Sequence, residues 1–381
     1  MTKGEGPLRL TLVTETFPPE INGVARTLGN WVSTFRARGH DVSVLRPRQR
    51  GEPYSAELVY GRPLPFYPQV RFGVASPGNI GKRLEALRPD LVHIATEGPL
   101  GLAALWTARR RGLTVASSFH TNFDHYADHY GFFGFRGFAS HYLRRFHNAT
   151  AVTLVPSQAT RTRLLGMGFL RVEIWSRGVD GQLFNPSHRD ESLRRSLGLD
   201  PQDPLLLYVG RLAPEKNLPA LLQAFSRLRS RTPAPKRDKL RLALVGNGPL
   251  GDKLSGSLAE GVILAGVQRG VDLSRWYASG DIFAFPSLSE TFGNVVLEAQ
   301  ASGLPVVAFD CQGVNEQVTS GRNGLLLPVG QDLAPSLARL CEDVDLRRRM
   351  GVAARERAES LDWETLFDQL ESRYRSLIAA S

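Results

Sequence analysis

The chain has 381 residues, 42% of them hydrophobic, with 47 lysines and arginines against 37 acids, a net charge of +10 and two cysteines. Such a length exceeds what one core absorbs, so two domains of roughly 150 to 200 residues are expected. Cys311 and Cys341 are too few and too far apart for a disulfide framework or a metal cage, which suits a reducing, cytoplasmic compartment.

The first apolar run, in PLRLTLVTETFPPE, ends in Glu15 and two prolines and reads as a buried strand, not as a signal sequence. No run approaches the roughly 20 apolar residues of a membrane span. Short Val, Leu and Ile runs then alternate with longer amphipathic segments, the pattern of parallel strands joined by crossover helices. In the first half strands are predicted near Leu8–Thr14, Asp41–Arg46, Asp90–Ala95, Leu113–Phe119 and Ala151–Val155. In the second they are predicted near Leu205–Gly210, Leu240–Gly246, Val262–Ala265, Ile282–Pro286, Pro305–Phe309 and Gly324–Pro328. Two doubly wound α/β units in tandem follow. The polar stretch Arg177–Pro204, with three prolines and no strand signal, places the junction. SRTPAPKRDKL reads as an exposed loop. Trp363, Leu366, Phe367, Leu370 and Tyr374 have the spacing of a final helix with one buried face.

In open parallel sheets ligands bind beyond the carboxyl ends of the strands, so the strand-to-helix turns are where chemistry is sought. In chain order, Asn22 and Gly23 precede a helix, where a glycine admits close backbone approach or merely serves the turn. His120 stands at a strand end, where a neutral imidazole could bond a hydroxyl or a developing charge. After it, His125 and His129 sit four apart amid a stretch holding seven aromatics other than histidine from Phe119 to Phe135. No third ligand is evident, so no metal site is assigned.

Arg211 and Lys216 follow a strand and precede a helix, with Asn217 as a cap. Two cations there suit a diphosphate, although solvated surface charges look the same. Gly246, Gly248 and Gly251 spell G-x-G-x-x-G, but the next strand ends in Val267, Gln268 and Arg269, with no acid for a ribose. The turn reads as a close backbone approach to a ligand or a tight turn. In PSLSETFGNVVLEA, Glu290 and Glu298 lie eight positions apart. Eight helical steps would separate them by about 12 Å, beyond the roughly 5 to 9.5 Å of a glycosidase carboxylate pair. Two contacts along one elongated ligand remain, such as vicinal diols of a sugar or a ribose, with helix-start amides between. The plainer alternative is a helix-start acid and a surface glutamate. Asp343-Val344-Asp345 lies in a charged helical stretch and reads as solvated surface.

Taken in order, the NGV turn, FHTN, GRLAPEKN, VGNGP and the E-x7-E of FPSLSETFGNVVLEA resemble the family 4 retaining glycosyltransferases of the GT-B fold. TETFPPEINGVARTL, FHTNFDHYADHYG and WSRGVDGQLFNP resemble, more narrowly, the bacterial GDP-mannose-dependent alpha-mannosyltransferases and related sulfoquinovosyltransferases. The resemblance implies two facing Rossmann-like domains with a cleft between them, residues 1–180 for the acceptor and 181–362 for the donor, with 363–381 as a helix returning to the first. It implies that Arg211 and Lys216 hold the donor diphosphate, Glu298 the ribose and Glu290 the transferred sugar, with amides offered by Phe292, Gly293 and Asn294. Gly23 would approach the diphosphate, His120 the reacting sugar, and Gly248 and Val267 the base. Asn22-Gly23 stands where many members carry two glycines.

The expectation is therefore a metal-independent retaining hexosyltransferase without a cofactor, moving mannose from GDP-mannose to a lipid-linked or saccharide acceptor. A UDP-sugar donor, glucosyl or sulfoquinovosyl, is the alternative. The net charge and the aromatic stretch after His120 suggest peripheral contact with an anionic membrane at its inner face. An NAD-dependent oxidoreductase using the three glycines is a further reading, and a nucleic-acid binder exploiting the charge is the last. No nucleic-acid partner is expected.

Overall fold

A computed structural model of the chain describes residues 6–381 apart from positions 21, 50, 54, 56, 65–66, 121–135, 252–253, 255, 257, 289 and 291. His125, His129 and the aromatic stretch after His120 lie outside the described residues. The chain divides into two compact units: unit 1 is Met1–Ser176 with Glu364–Ser381, and unit 2 is Arg177–Trp363.

Unit 1 contains β1 (Arg9–Val13), β2 (Asp41–Pro47), β3 (Leu58–Leu64), β4 (Tyr67–Val74), β5 (Leu91–Ile94), β6 (Thr114–Ser118), β7 (Val152–Val155) and β8 (Val172–Ile174). They form one sheet in the order β4-β3-β2-β1-β5-β6-β7-β8. Every pair is parallel except β3 with β4, an antiparallel edge. The central runs, LVHI in β5 and TVASS in β6, are buried throughout, as expected of strands covered on both faces. The sequence reading misses β3, β4 and β8. Gly61 and Pro63 interrupt the first and Pro68 the second, residues that argue against a strand in sequence, and β8 is only three residues long.

The helix Trp363–Ala379 buries Leu366, Phe367, Leu370, Tyr374 and Leu377. Phe367 meets Phe35 edge-on at 6.1 Å, and Arg38 pairs with Glu364 and Asp368 at 2.6 and 2.8 Å. Trp363 departs from that stripe. It belongs to unit 2, where its ring lies so close to Gly178 that a Cβ there would meet it at 2.6 Å.

Unit 2 contains β9 (Leu205–Val209), β10 (Arg241–Val245), β11 (Val262–Gly266), β12 (Ile282–Phe285), β13 (Val306–Phe309) and β14 (Gly324–Leu327). All six are parallel, in the order β11-β10-β9-β12-β13-β14. Counted within the unit this is the 3-2-1-4-5-6 order of doubly wound nucleotide-binding sheets, with its topological switch between β9 and β12. LLLYV, IFAF and VVAF of β9, β12 and β13 are wholly buried. The helix Leu218–Arg231 adds Leu218, Leu221, Phe225 and Leu228, a single helical face, to the same core.

The segment read as a junction is not loose. It holds a short turn Pro186–His188 and the helix Glu191–Ser196, and the fully buried Arg194 bonds Asp281 Oδ2 at 2.9 Å and the Ser279 carbonyl at 2.7 Å. SRTPAPKRDKL likewise contains the short helix Lys236–Lys239.

Candidate active site

In unit 2 the switch between β9 and β12 sets two loops side by side, because Ile282 and Phe283 pair with Leu206 and Leu207. The β9 loop carries Arg211, whose carbonyl accepts from the Tyr208 hydroxyl at 2.9 Å and whose guanidinium lies 3.8 Å from Glu215. A single helical turn, Pro214–Lys216, then presents Lys216. Asn217 holds a left-handed conformation (φ 51°) before the helix Leu218–Arg231 and makes no side-chain capping bond, contrary to its expected role. Asparagine tolerates that region better than most residues.

The β12 loop carries Glu290, and the Lys216 ammonium donates to its Oε1. The Ser287 hydroxyl donates to the same oxygen at 3.1 Å. Both ionic side chains are largely sequestered, so their attraction is screened far less than that of a surface pair. The β13 loop braces Glu290 from behind. A Cβ on Gly313, at φ 82°, would come within 2.7 Å of the Glu290 carbonyl oxygen. Gln317 donates to the carbonyls of Phe292, Gly293 and Gly313, locking the turn ahead of the helix Asn294–Ala301. Gly293 adopts φ 84° at that helix start. The first-turn amides of any helix lack intrahelical acceptors and favour negative charge. Glu298, one turn further, is buried and accepts from the Tyr277 hydroxyl at 2.9 Å. It is no surface glutamate.

The glycines of VGNGP serve backbone packing. A Cβ on Gly246 (φ 136°) would overlap the Gly210 carbonyl oxygen, and one on Gly248 would overlap that of Leu212. Gly210 N donates to Val245 O at 3.0 Å and Leu212 N to Asn247 O at 3.0 Å, so the Arg211 loop is laid along the Gly248 loop. Val267 follows β11 and is exposed. Asp343 of the D-x-D caps the helix Val344–Glu359 by accepting from Leu346 N at 2.8 Å.

Gly23 and His120 belong to unit 1. Gly23 is the first residue of the helix Gly23–Ala37, capped by Asn22, whose side chain accepts from Ala25 N at 2.8 Å. His120 lies two residues beyond β6 and is buried.

The sequence reading passed over two buried acids at this sheet's own switch, between β1 and β5. Glu15 accepts from Leu100 N at 3.1 Å at the start of the helix Pro99–Arg110, and its carboxylate fills the space a Cβ on Gly98 would need. Burial, helped by the Glu97 charge, pushes the Glu15 carboxyl up to about 7, against the opposing amides of Leu100 and Gly73. Glu97 bonds His147 Nε2 at 3.0 Å, and Ser117 bonds Nδ1 of the same ring at 2.9 Å. The one local sign in sequence is an acid two or three residues after each strand.

Residues 189–357 match the model for glycosyl transferases group 1, and residues 21–183 match that for glycosyltransferase family 4. A GDP-mannose-dependent alpha-mannosyltransferase of Mycobacterium tuberculosis is 34% identical over 97% of this chain and 97% of its own length. The chain belongs to glycosyltransferase family 4. This glycosyltransferase is also 32% identical to the sulfoquinovosyl transferase SQD2 of Arabidopsis thaliana, over 97% of this chain and 74% of that protein. Among solved structures, sucrose-phosphate synthase from Thermosynechococcus elongatus superposes with a TM-score of 0.76 at 19% identity, covering 98% of this chain and all of that one. Its fold, GT-B, is the fold of the transferase described above. The oxidoreductase and nucleic-acid readings are set aside by the family.

Proposed function

We propose that this glycosyltransferase moves mannose from GDP-mannose, with retention and without a metal, to a lipid-linked or saccharide acceptor. The observation that carries the reading is the Lys216–Glu290 pair at the switch point of unit 2, between the β9 loop that also bears Arg211 and the β12 loop that leads into the helix bearing Glu298. Lys216 and Arg211 supply positive charge for the departing diphosphate, with the amides of Phe292, Gly293 and Asn294 beside them. Glu290 accepts from hydroxyls of the transferred sugar, Glu298 from the ribose, and Gly248 and Val267 lie toward the base. From unit 1, Gly23 is assigned to the diphosphate and His120 to the reacting sugar. The protein stabilises charge on a leaving group that itself helps to deprotonate the acceptor.

Support for the donor comes from relatives in Mycobacterium tuberculosis and Mycolicibacterium smegmatis, both 34% identical and both named GDP-mannose-dependent alpha-mannosyltransferases. The Arabidopsis relative favours a second reading, a sulfoquinovosyl or glucosyl donor on UDP. A thermal-shift and donor-hydrolysis screen across GDP- and UDP-sugars tests both, since a ligand of the folded state raises its melting temperature. Stabilisation and turnover with GDP-mannose are expected. Response to UDP-sugars alone would move the assignment to the second reading.

Among the described residues no helix is long and apolar enough to cross a membrane. Peripheral docking at the inner face of the membrane finds support in the helix Pro99–Arg110. Leu102 and Trp106, 45% and 48% exposed, share a face with the exposed Arg109 and Arg110. The Arg110 guanidinium lies 3.9 Å from the centre of the Trp106 ring.

A further inference from the structure

Tyr277 lies in the helix Gly270–Ser279 and is fully buried, its ring edge-on to Phe184 at 5.5 Å and tilted on Phe283 at 5.9 Å. Its hydroxyl is 2.9 Å from Glu298 Oε2 and 3.3 Å from the Val295 carbonyl oxygen. Packing explains the ring but not the hydroxyl, since phenylalanine would make the same ring contacts. Burying a carboxylate is costly unless it is hydrogen-bonded, and a glutamate on a helix has three side-chain torsions to restrain before its oxygens point one way. A phenol held in the core by two aromatic neighbours restrains it. It fixes one oxygen and so narrows the orientations open to the group, one turn into the helix, leaving the other oxygen to be presented.

We propose that Tyr277 is a positioning residue that holds the Glu298 carboxylate in the orientation that receives the ribose hydroxyls of the nucleotide. This rests on the ribose role given to Glu298 above. The bond lies within unit 2 and joins two elements that the sequence separates by 21 positions.

The test compares GDP and UDP with their 2′,3′-dideoxy forms, by calorimetric titration of the wild type, Tyr277→Phe and Glu298→Gln. For the better-bound nucleotide, Tyr277→Phe is expected to weaken binding about five- to tenfold, part of what a hydrogen bond to a charged group contributes. The dideoxy form should bind Tyr277→Phe and wild type within about twofold, because the hydroxyls that the orientation serves are missing. Glu298→Gln should lose most of the preference for the hydroxylated nucleotide. Equal weakening toward both forms in Tyr277→Phe, or a melting temperature lowered by more than about 10 °C, makes the hydroxyl structural and overturns the proposal. A preference left intact in Glu298→Gln, or no nucleotide binding by the wild type, removes the ribose role itself and the proposal with it.

Discussion

The Lys216 ammonium rests on the Glu290 carboxylate, 74 positions away in sequence, with the Ser287 hydroxyl on the same oxygen. Each charge is neutralised by the other before any donor arrives. A diphosphate that takes Lys216 and a sugar that takes Glu290 must therefore share or replace this bond, which couples the two contacts.

Lys216→Ala and Glu290→Ala are each expected to reduce turnover by at least about 100-fold, the scale of losing one preorganised charge contact. Because the residues act as a pair, the double variant should fall well short of the product of the two single losses. Steady-state kinetics on variants with native melting temperatures decide it. Near-normal rates would contradict the assignment, and multiplicative losses would contradict the coupling.

The strands that sequence shows most plainly, β9, β12 and β13, are those buried on both faces, where a run of Leu, Val, Ile and Phe admits no other reading. β3 and β4 escape because Gly61, Pro63 and Pro68 read against a strand, yet Gly61 and Pro63 lie past the stretch of β3 that pairs with β2 and Pro68 lies in the edge strand β4. The candidate site divides in the same way. That Arg211, Lys216 and Glu290 follow strands is a local property and was readable. That Lys216 meets Glu290 depends on β9 pairing with β12, a long-range register no spacing encodes. In sequence the VGNGP glycines point to a ligand or a turn, whereas the neighbouring loop that they admit is visible only in three dimensions.

Gly246→Ala should therefore act on the scaffold. The added methyl overlaps the Gly210 carbonyl, at a φ of 136° that side chains avoid. A loss of about 2 to 4 kcal/mol is expected, with nucleotide affinity falling as the Arg211 loop shifts. Denaturant melts and nucleotide titration measure the two effects. A stable Gly246→Ala protein with native affinity would show that the two loops need not be so close.

Glu15 gives the folded protein a signed response to pH. Its carboxyl is raised from about 4.5 to about 7, so between those values the folded state keeps a proton that the unfolded chain has released. The stabilisation is complete below about 4.5 and is lost as pH rises through about 7. Glu15→Gln keeps an acceptor for Leu100 N and removes the buried charge beside Glu97. At pH 8 it should be more stable than the wild type by about 1 to 3 kcal/mol, and at pH 4.5 nearly equal to it. Paired melts at the two pH values check this. An equal difference at both would mean that Glu15 does not titrate in that window.

Docking on a membrane through the helix Pro99–Arg110 makes a further expectation. Each basic side chain near an anionic surface contributes about 1 kcal/mol, and an exposed tryptophan adds apolar contact at the headgroup level. The protein should sediment with phosphatidylglycerol vesicles at low salt and be released near about 0.5 M salt, where surface charges are screened within a few ångströms. Replacing Arg109 and Arg110 together by alanine should weaken binding about 10- to 30-fold, and Trp106→Ala should weaken it at all salt concentrations, because its contact is apolar. These residues lie outside the donor-side loops, so turnover with a soluble acceptor should not change. Vesicle binding that survives all three substitutions would move the docking surface elsewhere on the protein. Partitioning onto uncharged vesicles that equals that onto anionic ones would exclude charge as its cause.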